Sequence, residues 1–220
     1  MSHQLTGVTP RSYQEEAATW AGERDDAVIC LPTGSGKTLV GCMWACDVLA
    51  EPDVDRLLVL EPSRFLVEQV HEYLTTQTTI DAQRLYGTTP PQQRQAQWDT
   101  ATAVVTTPQT AFNDRKALSF DAALIDECHH TAGQHAFAQL VRAYDFDRML
   151  GLSATIPHSK EAEITSLIGA IRRWSWHDLP DAHVPDWFGE VYDTPYPTAY
   201  ETVVETLTDL RCKLDGSRVA

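Results

Sequence analysis

The stretch "CLPTGSGKTLV", residues 30–40, decides the fold class of this chain. It follows the apolar run 27–30 and precedes apolar residues at helical spacing, which predicts a strand, a glycine loop and a helix. Gly34 and Gly36 let backbone N–H groups approach a polyanion closely. The strict phosphate-loop pattern has glycine where this chain has Leu31, but Gly-x-Gly-Lys-Thr in this setting still predicts a phosphate-binding loop.

The predicted loop carries the side chains that a magnesium–nucleotide complex needs. Lys37 can reach the β- and γ-phosphates as a point charge, and the Thr38 hydroxyl can bind Mg²⁺. The helix that follows adds the positive end of its dipole. We therefore expect a nucleoside triphosphate with Mg²⁺ at Thr33, Gly34, Ser35, Gly36, Lys37 and Thr38.

The composition is strongly acidic. The 220 residues include 31 acids and 17 bases, for a net charge of −14, and such a surface is typical of proteins from halophilic archaea. An acidic chain normally repels nucleic acid, but at 1 M salt the Debye length is only about 3 Å. The net charge therefore does not exclude a nucleic-acid partner.

The chain shows no sign of membrane insertion or export. It has no apolar run long enough to span a bilayer, and its N-terminus lacks a signal pattern, which predicts a cytoplasmic protein. The five cysteines include no Cys-x-x-Cys pair, so we expect buried free thiols.

Short apolar runs alternate with amphipathic stretches, which is typical of a parallel sheet with helices on both faces. The predicted strands are 27–30, 56–62, 82–87, 102–107, 122–127 and 148–155, and the predicted helices are 11–21, 37–50, 63–75, 90–98, 134–144 and 159–168. After residue 170 the sequence becomes rich in proline and tryptophan, and a strand near 189–193 and a helix over 198–214 follow. We expect an α/β domain over 1–170 and an extension over 171–220.

A second motif, "ALIDECHH" at 123–130, ends an apolar strand in two carboxylates. Asp126 can hold Mg²⁺, and Glu127 can orient a water molecule toward the γ-phosphate. Together with the loop, this pair predicts an NTP hydrolase. A zinc site is the alternative for the nearby ligands, although no second close ligand pair exists. Those ligands are Cys128, His129, His130 and His135.

Two weaker motifs complete the pattern. "GLSAT" at 151–155 ends another strand, so the hydroxyls of Ser153 and Thr155 can lie beside Glu127 and His129. "TPRSYQEEA" at 9–17 places Gln14 ahead of the loop strand, where its amide can pair with the N6 and N7 edge of adenine and select ATP over GTP. The alternative for Gln14 is a glutamine on a helix surface.

These motifs together resemble those of the superfamily 2 helicases and translocases of the DEAD/DEAH type. Gln14 matches the Q motif, "LPTGSGKT" motif I, "DECHH" motif II and "SAT" motif III, while 61–69 and 106–110 look like motifs Ia and Ib. The resemblance covers residues 9 to about 170 and looks closest to the archaeal Hef and FANCM-like group, followed by the XPB and restriction-motor helicases. It implies a RecA-like three-layer sandwich that uses ATP and Mg²⁺ on DNA, with RNA as an alternative.

The resemblance also implies roles for residues outside the nucleotide site. Contact with the sugar–phosphate backbone of one strand falls on Arg64, Gln69, Gly87, Thr107 and Gln109. Coupling of hydrolysis to strand movement falls on His129, Ser153 and Thr155. The alternative for Arg64 is a salt bridge with Glu61 or Glu68.

Motors of this kind contain a second RecA-like domain that supplies arginine fingers to the ATP site. No Gln-x-x-Gly-Arg-x-x-Arg stretch follows residue 170. We therefore expect the N-terminal half of a DNA helicase or translocase, of the type used in DNA repair, that hydrolyses ATP weakly or not at all without the second domain in cis or trans. The alternatives are a catalytically silent ATP- or nucleic-acid-binding regulatory module, an RNA-directed helicase and a small-molecule kinase, although a kinase has no reason to carry "DECHH" with "SAT".

Overall fold

A seven-stranded sheet, parallel at every pairing, forms the centre of the fold, with strand order β3-β4-β2-β5-β6-β1-β7. The computed structural model describes residues 3–133 and 136–179. The strands are β1 (Asp26–Cys30), β2 (Leu57–Leu60), β3 (Ala82–Leu85), β4 (Ala103–Thr106), β5 (Ala122–Ile125), β6 (Arg148–Ser153) and β7 (Ala170–Arg173).

Seven α-helices cover the two faces of this sheet in the described ranges. They are α1 (Ser12–Gly22), α2 (Lys37–Val48), α3 (Arg64–Gln77), α4 (Pro91–Thr100), α5 (Pro108–Asn113), α6 (Ala136–Ala143) and α7 (His158–Leu167). Each strand connects to the next through a helical crossover, which is the only short route between parallel neighbours.

Alternating side chains of the strands supply two separate cores. Leu57 and Val59 of β2 face a cluster formed with α1, α2 and α3. Leu58 and Leu60 face the opposite cluster, which contains residues of α4, α5, α6 and α7. Because adjacent residues of a strand point to opposite faces, a strand buried on both sides must be apolar throughout. The predicted three-layer α/β sandwich is confirmed.

The structure contains two secondary-structure elements that were not predicted from the sequence, helix α5 and strand β7. Helix α5 is not among the predicted helices, because it has six residues and begins with Pro108. Strand β7 pairs with β1 beyond residue 170, and Trp174 and Leu179 are buried in the same core. The sheet therefore continues past residue 170, where the sequence predicts the domain boundary. The strand near 189–193 and the helix over 198–214 lie outside the described residues.

The carboxyl ends of the seven strands all meet at one edge of the sheet. Along this edge the strand order places β3, β4 and β2 on one side and β5, β6 and β1 on the other. Ligands of open α/β sheets bind at such an edge. In the described ranges, no helix has both the length and the apolar character needed to cross a membrane.

Candidate nucleotide and nucleic-acid sites

The glycine loop after β1 forms a nest of backbone N–H groups. Gly34 and Gly36 have φ values of 83° and 81°, a left-handed region that side chains rarely adopt, and Gly36 caps α2. Among the described residues, no backbone or side-chain acceptor is bonded to the N–H groups of Gly34, Gly36, Lys37 and Thr38. Unpaired N–H groups at a helix N-terminus form an anion site, so this loop fits a phosphate chain.

Leu31 departs from the strict loop pattern without disturbing the nest. Its side chain is fully buried in the core, and its N–H donates to the carbonyl of Ser153 on β6 over 3.0 Å. Its own carbonyl oxygen lies 3.4 Å from Nζ of Lys37, so the lysine ammonium lies against the loop. A point charge in this position can approach a phosphate held by the nest.

Gln14 and Tyr13 of α1 fix the position of the loop through hydrogen bonds. Nε2 of Gln14 and the hydroxyl of Tyr13 both donate to the Ser35 carbonyl, over 2.9 and 2.7 Å, and Oε1 of Gln14 accepts from the Arg11 N–H. Gln14 is 96% buried, and a Cβ atom at Gly36 would lie only 2.4 Å from its Nε2. Because an amide has two N–H donors and two lone pairs, each end of Gln14 retains one further bond. The alternative of a surface glutamine is wrong.

Thr38 and Asp126 line the same small cavity, of about 10 Å³, at the start of α2 and the end of β5. Burial raises the pKa of Asp126, whereas the Glu127 N–H, which donates to its Oδ1 over 2.9 Å, and the Lys37 ammonium act in the opposite direction. A hydroxyl and a carboxylate at one site are oxygen ligands of the kind that Mg²⁺ prefers. The residues present therefore fit a magnesium ion beside the loop.

Glu61 is a second acidic residue in this cavity, beside Asp126, and it is not among the site residues predicted from the sequence. It follows β2, is 99% buried, and its Oε2 has no hydrogen-bond partner in the described part of the chain. Burial, together with repulsion from Asp126 and Glu127, raises the pKa of its carboxyl well above the usual value. A carboxylate directly after four fully buried apolar residues was the available signal.

Glu127 stands in an unusual backbone conformation. Among the described residues it is the only non-glycine with positive φ, at 48° with ψ of 45°. Such a conformation costs about 1–2 kcal/mol and persists only where neighbours enforce it. This turn points the two adjacent carboxylates in different directions. The Asp126 carboxylate lies at the cavity that it shares with Thr38, and the Glu127 carboxylate faces His129.

A chain of polar contacts joins Glu127 to the end of β6. Nδ1 of His129 lies 3.2 Å from Oε2 of Glu127 and 2.9 Å from Oγ of Ser153, and the Ser153 hydroxyl donates to the Thr155 carbonyl over 2.9 Å. The predicted proximity of Ser153 to His129 is confirmed. Thr155, by contrast, takes part through its backbone, and its side chain is exposed.

The side chains proposed for zinc have other neighbours. Cys128 is fully buried and faces Gly151 of β6, where a Cβ atom would lie 3.0 Å from its Cβ and Sγ. His130 stacks on Phe137. His135 lies outside the described residues, and within them no group of three or more His, Cys, Asp or Glu side chains could hold a metal ion.

The predicted nucleic-acid residues occupy the other half of the same edge, after β2, β3 and β4. Arg64 and Gln69 are exposed on α3, and Arg64 forms no ion pair among the described residues, because Glu68 pairs instead with Arg84 over 3.0 Å. Gly87 is exposed after β3, Thr107 caps α5, and Nε2 of Gln109 donates to Asn113 over 2.9 Å. The strand order thus places the candidate nucleotide site and the candidate nucleic-acid site side by side at the carboxyl edge of the sheet.

Comparison with known proteins identifies relatives over most of the chain. A family model described as DEAD/DEAH box helicase matches residues 11–164. The crystal structure of the Pyrococcus furiosus Hef helicase domain is similar with a TM-score of 0.68 and 29% identity, over 75% of this chain and 38% of that one.

Two curated relatives have a similar level of identity. The Fanconi anemia group M protein of Gallus gallus is 30% identical over 162 residues, which are 68% of this chain and 8% of that protein. The endoribonuclease Dicer homolog 3b of Oryza sativa subsp. japonica is 30% identical over 166 residues, which are 66% of this chain and 10% of that protein. This chain spans about a fifth or less of the length of its curated relatives. The predicted resemblance to the Hef and FANCM-like group is confirmed.

Proposed function

The chain belongs to the DEAD/DEAH box helicase family, and from that premise we propose that it is the ATP-binding first domain of a motor that moves along DNA. The contact path from Glu127 through His129 to Ser153 carries the proposal, because it connects a carboxylate beside the phosphate nest to another strand of the sheet. A simple nucleotide-binding protein has no need of such a path.

Each residue of the nucleotide half has a distinct role in this proposal. The loop N–H groups and Lys37 bind the phosphates, Thr38 and Asp126 hold Mg²⁺, and Glu127 orients the attacking water. Mg²⁺, when bound, neutralises charge on the β- and γ-phosphates. His129 keeps the Glu127 carboxylate in place, since its ring nitrogen lies 3.2 Å from Oε2.

Rapid turnover in this proposal requires a second RecA-like domain, in cis or in trans. Residues Thr33 and Gly34 of the nest are exposed at the sheet edge, so a facing domain can reach the γ-phosphate. An arginine brought there stabilises transition-state charge and is worth about 10³–10⁵ in rate in other phosphoryl-transfer enzymes. The chain alone should therefore bind ATP but hydrolyse it slowly and unwind no duplex.

The proposal is tested by turnover with and without the second domain. Adding a second RecA-like domain from a Hef-like relative, in trans or by fusion, should produce DNA-stimulated ATP hydrolysis that Glu127→Gln removes. Lys37→Ala should abolish ATP binding in calorimetry in high KCl, whereas Glu127→Gln should retain it. ATP affinity unchanged by Lys37→Ala would contradict the loop assignment.

A rate per chain that rises with protein concentration would instead indicate that two copies complete one site. A concentration-independent, robust rate of the chain alone would contradict the requirement for a second domain. If ATP binds but no added domain restores turnover, the chain is a regulatory binding module, which is the alternative function.

RNA is the second candidate substrate, because the relatives include an endoribonuclease of the Dicer type. DNA is favoured through the similarity to the Hef helicase domain and to the Fanconi anemia group M protein. Stimulation of turnover by matched single-stranded DNA and RNA separates the two, and greater stimulation by RNA would reverse the assignment.

A further inference from the structure

A polar pocket of about 270 Å³ opens between α4 and the short turn Arg115–Ala117 that follows α5. Its floor is neutral in charge, because Arg94 holds Asp114 with two bonds of 2.6 and 2.9 Å, and Nε1 of Trp98 donates to the same carboxylate over 2.9 Å. The Arg94 guanidinium lowers the pKa of Asp114, as expected for a firmly held pair. The floor therefore has a fixed shape.

The rim of the pocket carries two cations without carboxylate partners. Arg115 lies over the Phe112 ring at 4.5 Å and donates to the Phe112 carbonyl, and Lys116 is exposed. Across the described residues neither side chain forms an ion pair. The other exposed or half-exposed arginines mostly do so, namely Arg24, Arg84, Arg142, Arg148, Arg172 and Arg173.

Arg115 and Lys116 thus lack a carboxylate partner among the described residues, although the chain has 31 acids and only 17 bases. Seven of the fourteen described arginines and lysines form an ion pair. Two neighbouring cations without one produce a local positive potential, which attracts a polyanion. Lys37 and Arg64, at the predicted phosphate and strand sites, also form no ion pair among the described residues. Neither do Arg11, Arg56 and Lys160, of which the last two donate to backbone carbonyls.

The pocket is also continuous with the predicted path of the nucleic-acid strand. Arg94 donates from Nη1 to the Gly87 carbonyl over 3.1 Å, and Gln109 donates to Asn113, which lines the pocket. Gly87 and Gln109 are both predicted strand contacts.

We infer that this pocket binds a backbone phosphate of the nucleic-acid strand, beyond Gln109, and that Arg115 and Lys116 are its ligands. The inference rests on the proposed function, because a strand must lie across β2 and β4 for its next phosphate to reach the pocket. Cations that contact phosphate position a strand without reading its bases.

The test uses the salt dependence of strand binding, because each phosphate contact contributes about −0.7 to the slope of log K against log salt for single strands. Arg115→Gln/Lys116→Gln should reduce the magnitude of this slope by about 0.7–1.4 on an oligothymidylate of about 14 nucleotides. Titrations are made without nucleotide, over the KCl range in which circular dichroism shows the intact fold.

The matched control is Arg172→Gln/Arg173→Gln, which removes the same charge from two adjacent residues of β7 at the opposite edge of the sheet. It should leave the slope unchanged. Lys116→Gln alone removes a side chain that makes no bond within the described residues, so it should keep the fold and show part of the effect.

The outcomes separate this inference from the proposed function. If the unaltered chain binds neither DNA nor RNA, the proposed function fails. If it binds the oligothymidylate and the double variant has the same slope, the inference alone is overturned. The same loss in the β7 control also overturns it.

Discussion

Nδ1 of His129 lies 2.9 Å from Oγ of Ser153, so the turn after β5 is bonded directly to the last residue of β6. The same nitrogen lies 3.2 Å from the Glu127 carboxylate. A change in the position of Glu127 must therefore alter the contact with Ser153. In the proposed motor, this contact would provide a physical basis for coupling ATP hydrolysis to movement of the nucleic-acid strand.

Ser153→Ala should reduce coupling while sparing basal hydrolysis. The substitution removes the acceptor of His129 but leaves Glu127 and the loop unchanged. With the second domain supplied, DNA-stimulated turnover should fall about tenfold, a coupling of about 1.4 kcal/mol. Thr155→Ala is the control and should have a smaller effect, because Thr155 contributes its carbonyl. Equal loss of basal and stimulated rates would argue against a coupling role.

Gln14→Ala should weaken ATP more than GTP. The amide supports the loop through Ser35 and keeps one donor and one acceptor for adenine. Calorimetry with both nucleotides should show a modest loss for GTP, through the loop, and a larger loss for ATP. The same fold-loss for both would mean that Gln14 only holds the loop.

Gly151→Ala should destabilise the fold by about 1–3 kcal/mol, because the new Cβ atom would lie 3.0 Å from Cys128 and 3.2 Å from Val28. Cys128→Ala in the same chain should recover part of this loss by removing Sγ. Gly22→Ala is the control, since a Cβ atom there meets nothing within 4 Å. Denaturation in high KCl measures all three, and full stability of Gly151→Ala would contradict the close contact.

Glu61→Gln should stabilise the metal-free protein at neutral and alkaline pH. The raised pKa means that folded Glu61 retains its proton when the unfolded chain, near pKa 4.3, has already lost it. Stability from this group is therefore present below about pH 4 and is lost as pH rises toward the folded pKa. Glutamine cannot lose a proton, so the melting-temperature difference between variant and parent should grow with pH above about 4.

These melting temperatures are measured in EDTA, because a cation bound beside Asp126 would change how the stability depends on pH. Glu72→Gln, at an exposed position of α3, is the control and should change little at any pH. A melting-temperature difference between Glu61→Gln and the parent that does not vary with pH would show that Glu61 does not titrate in this range.

The melting temperature should rise between low and molar KCl if the acidic surface is an adaptation to salt. Screening relieves repulsion among the charges that give the net −14. Replacing exposed acids such as Asp53 and Glu72 by amides should flatten the dependence. A melting temperature that is constant across this range would require another explanation for the composition.

The fold could be predicted where one physical signal dominates. Strands β2 and β5 are buried on both faces, so their apolar runs identify them regardless of their surroundings. Predicted strands extended one or two residues too far where polar residues after the strand were counted with it, as at 126–127. Strand β7 was missed because "AIRR" lies at an edge and is half exposed, so it has no apolar run.

The candidate site was predictable to the level of motifs but not of contacts. Spacing identified Lys37, Asp126 and Ser153, because each lies at or shortly after the end of a recognisable strand. Glu61 was interpreted only as an ion-pair partner of Arg64, since nothing in the sequence states which side of a strand end is enclosed. Its burial depends on α2 and α3 packing over it, which is a property of the tertiary fold.

The position of β1 in the sheet has a consequence for how the protein is synthesised. Its neighbours are β6 and β7, which are the last strands of the described chain. After Cys30 emerges, about 120 further residues must follow before β1 has a partner, roughly 6–24 s at typical rates of translation. Parallel pairing over such a separation is slow to form. The strand that carries the phosphate loop must therefore wait longest on the ribosome for its partners, and a chain that stops before Arg148 would have the loop sequence without the strands that position it.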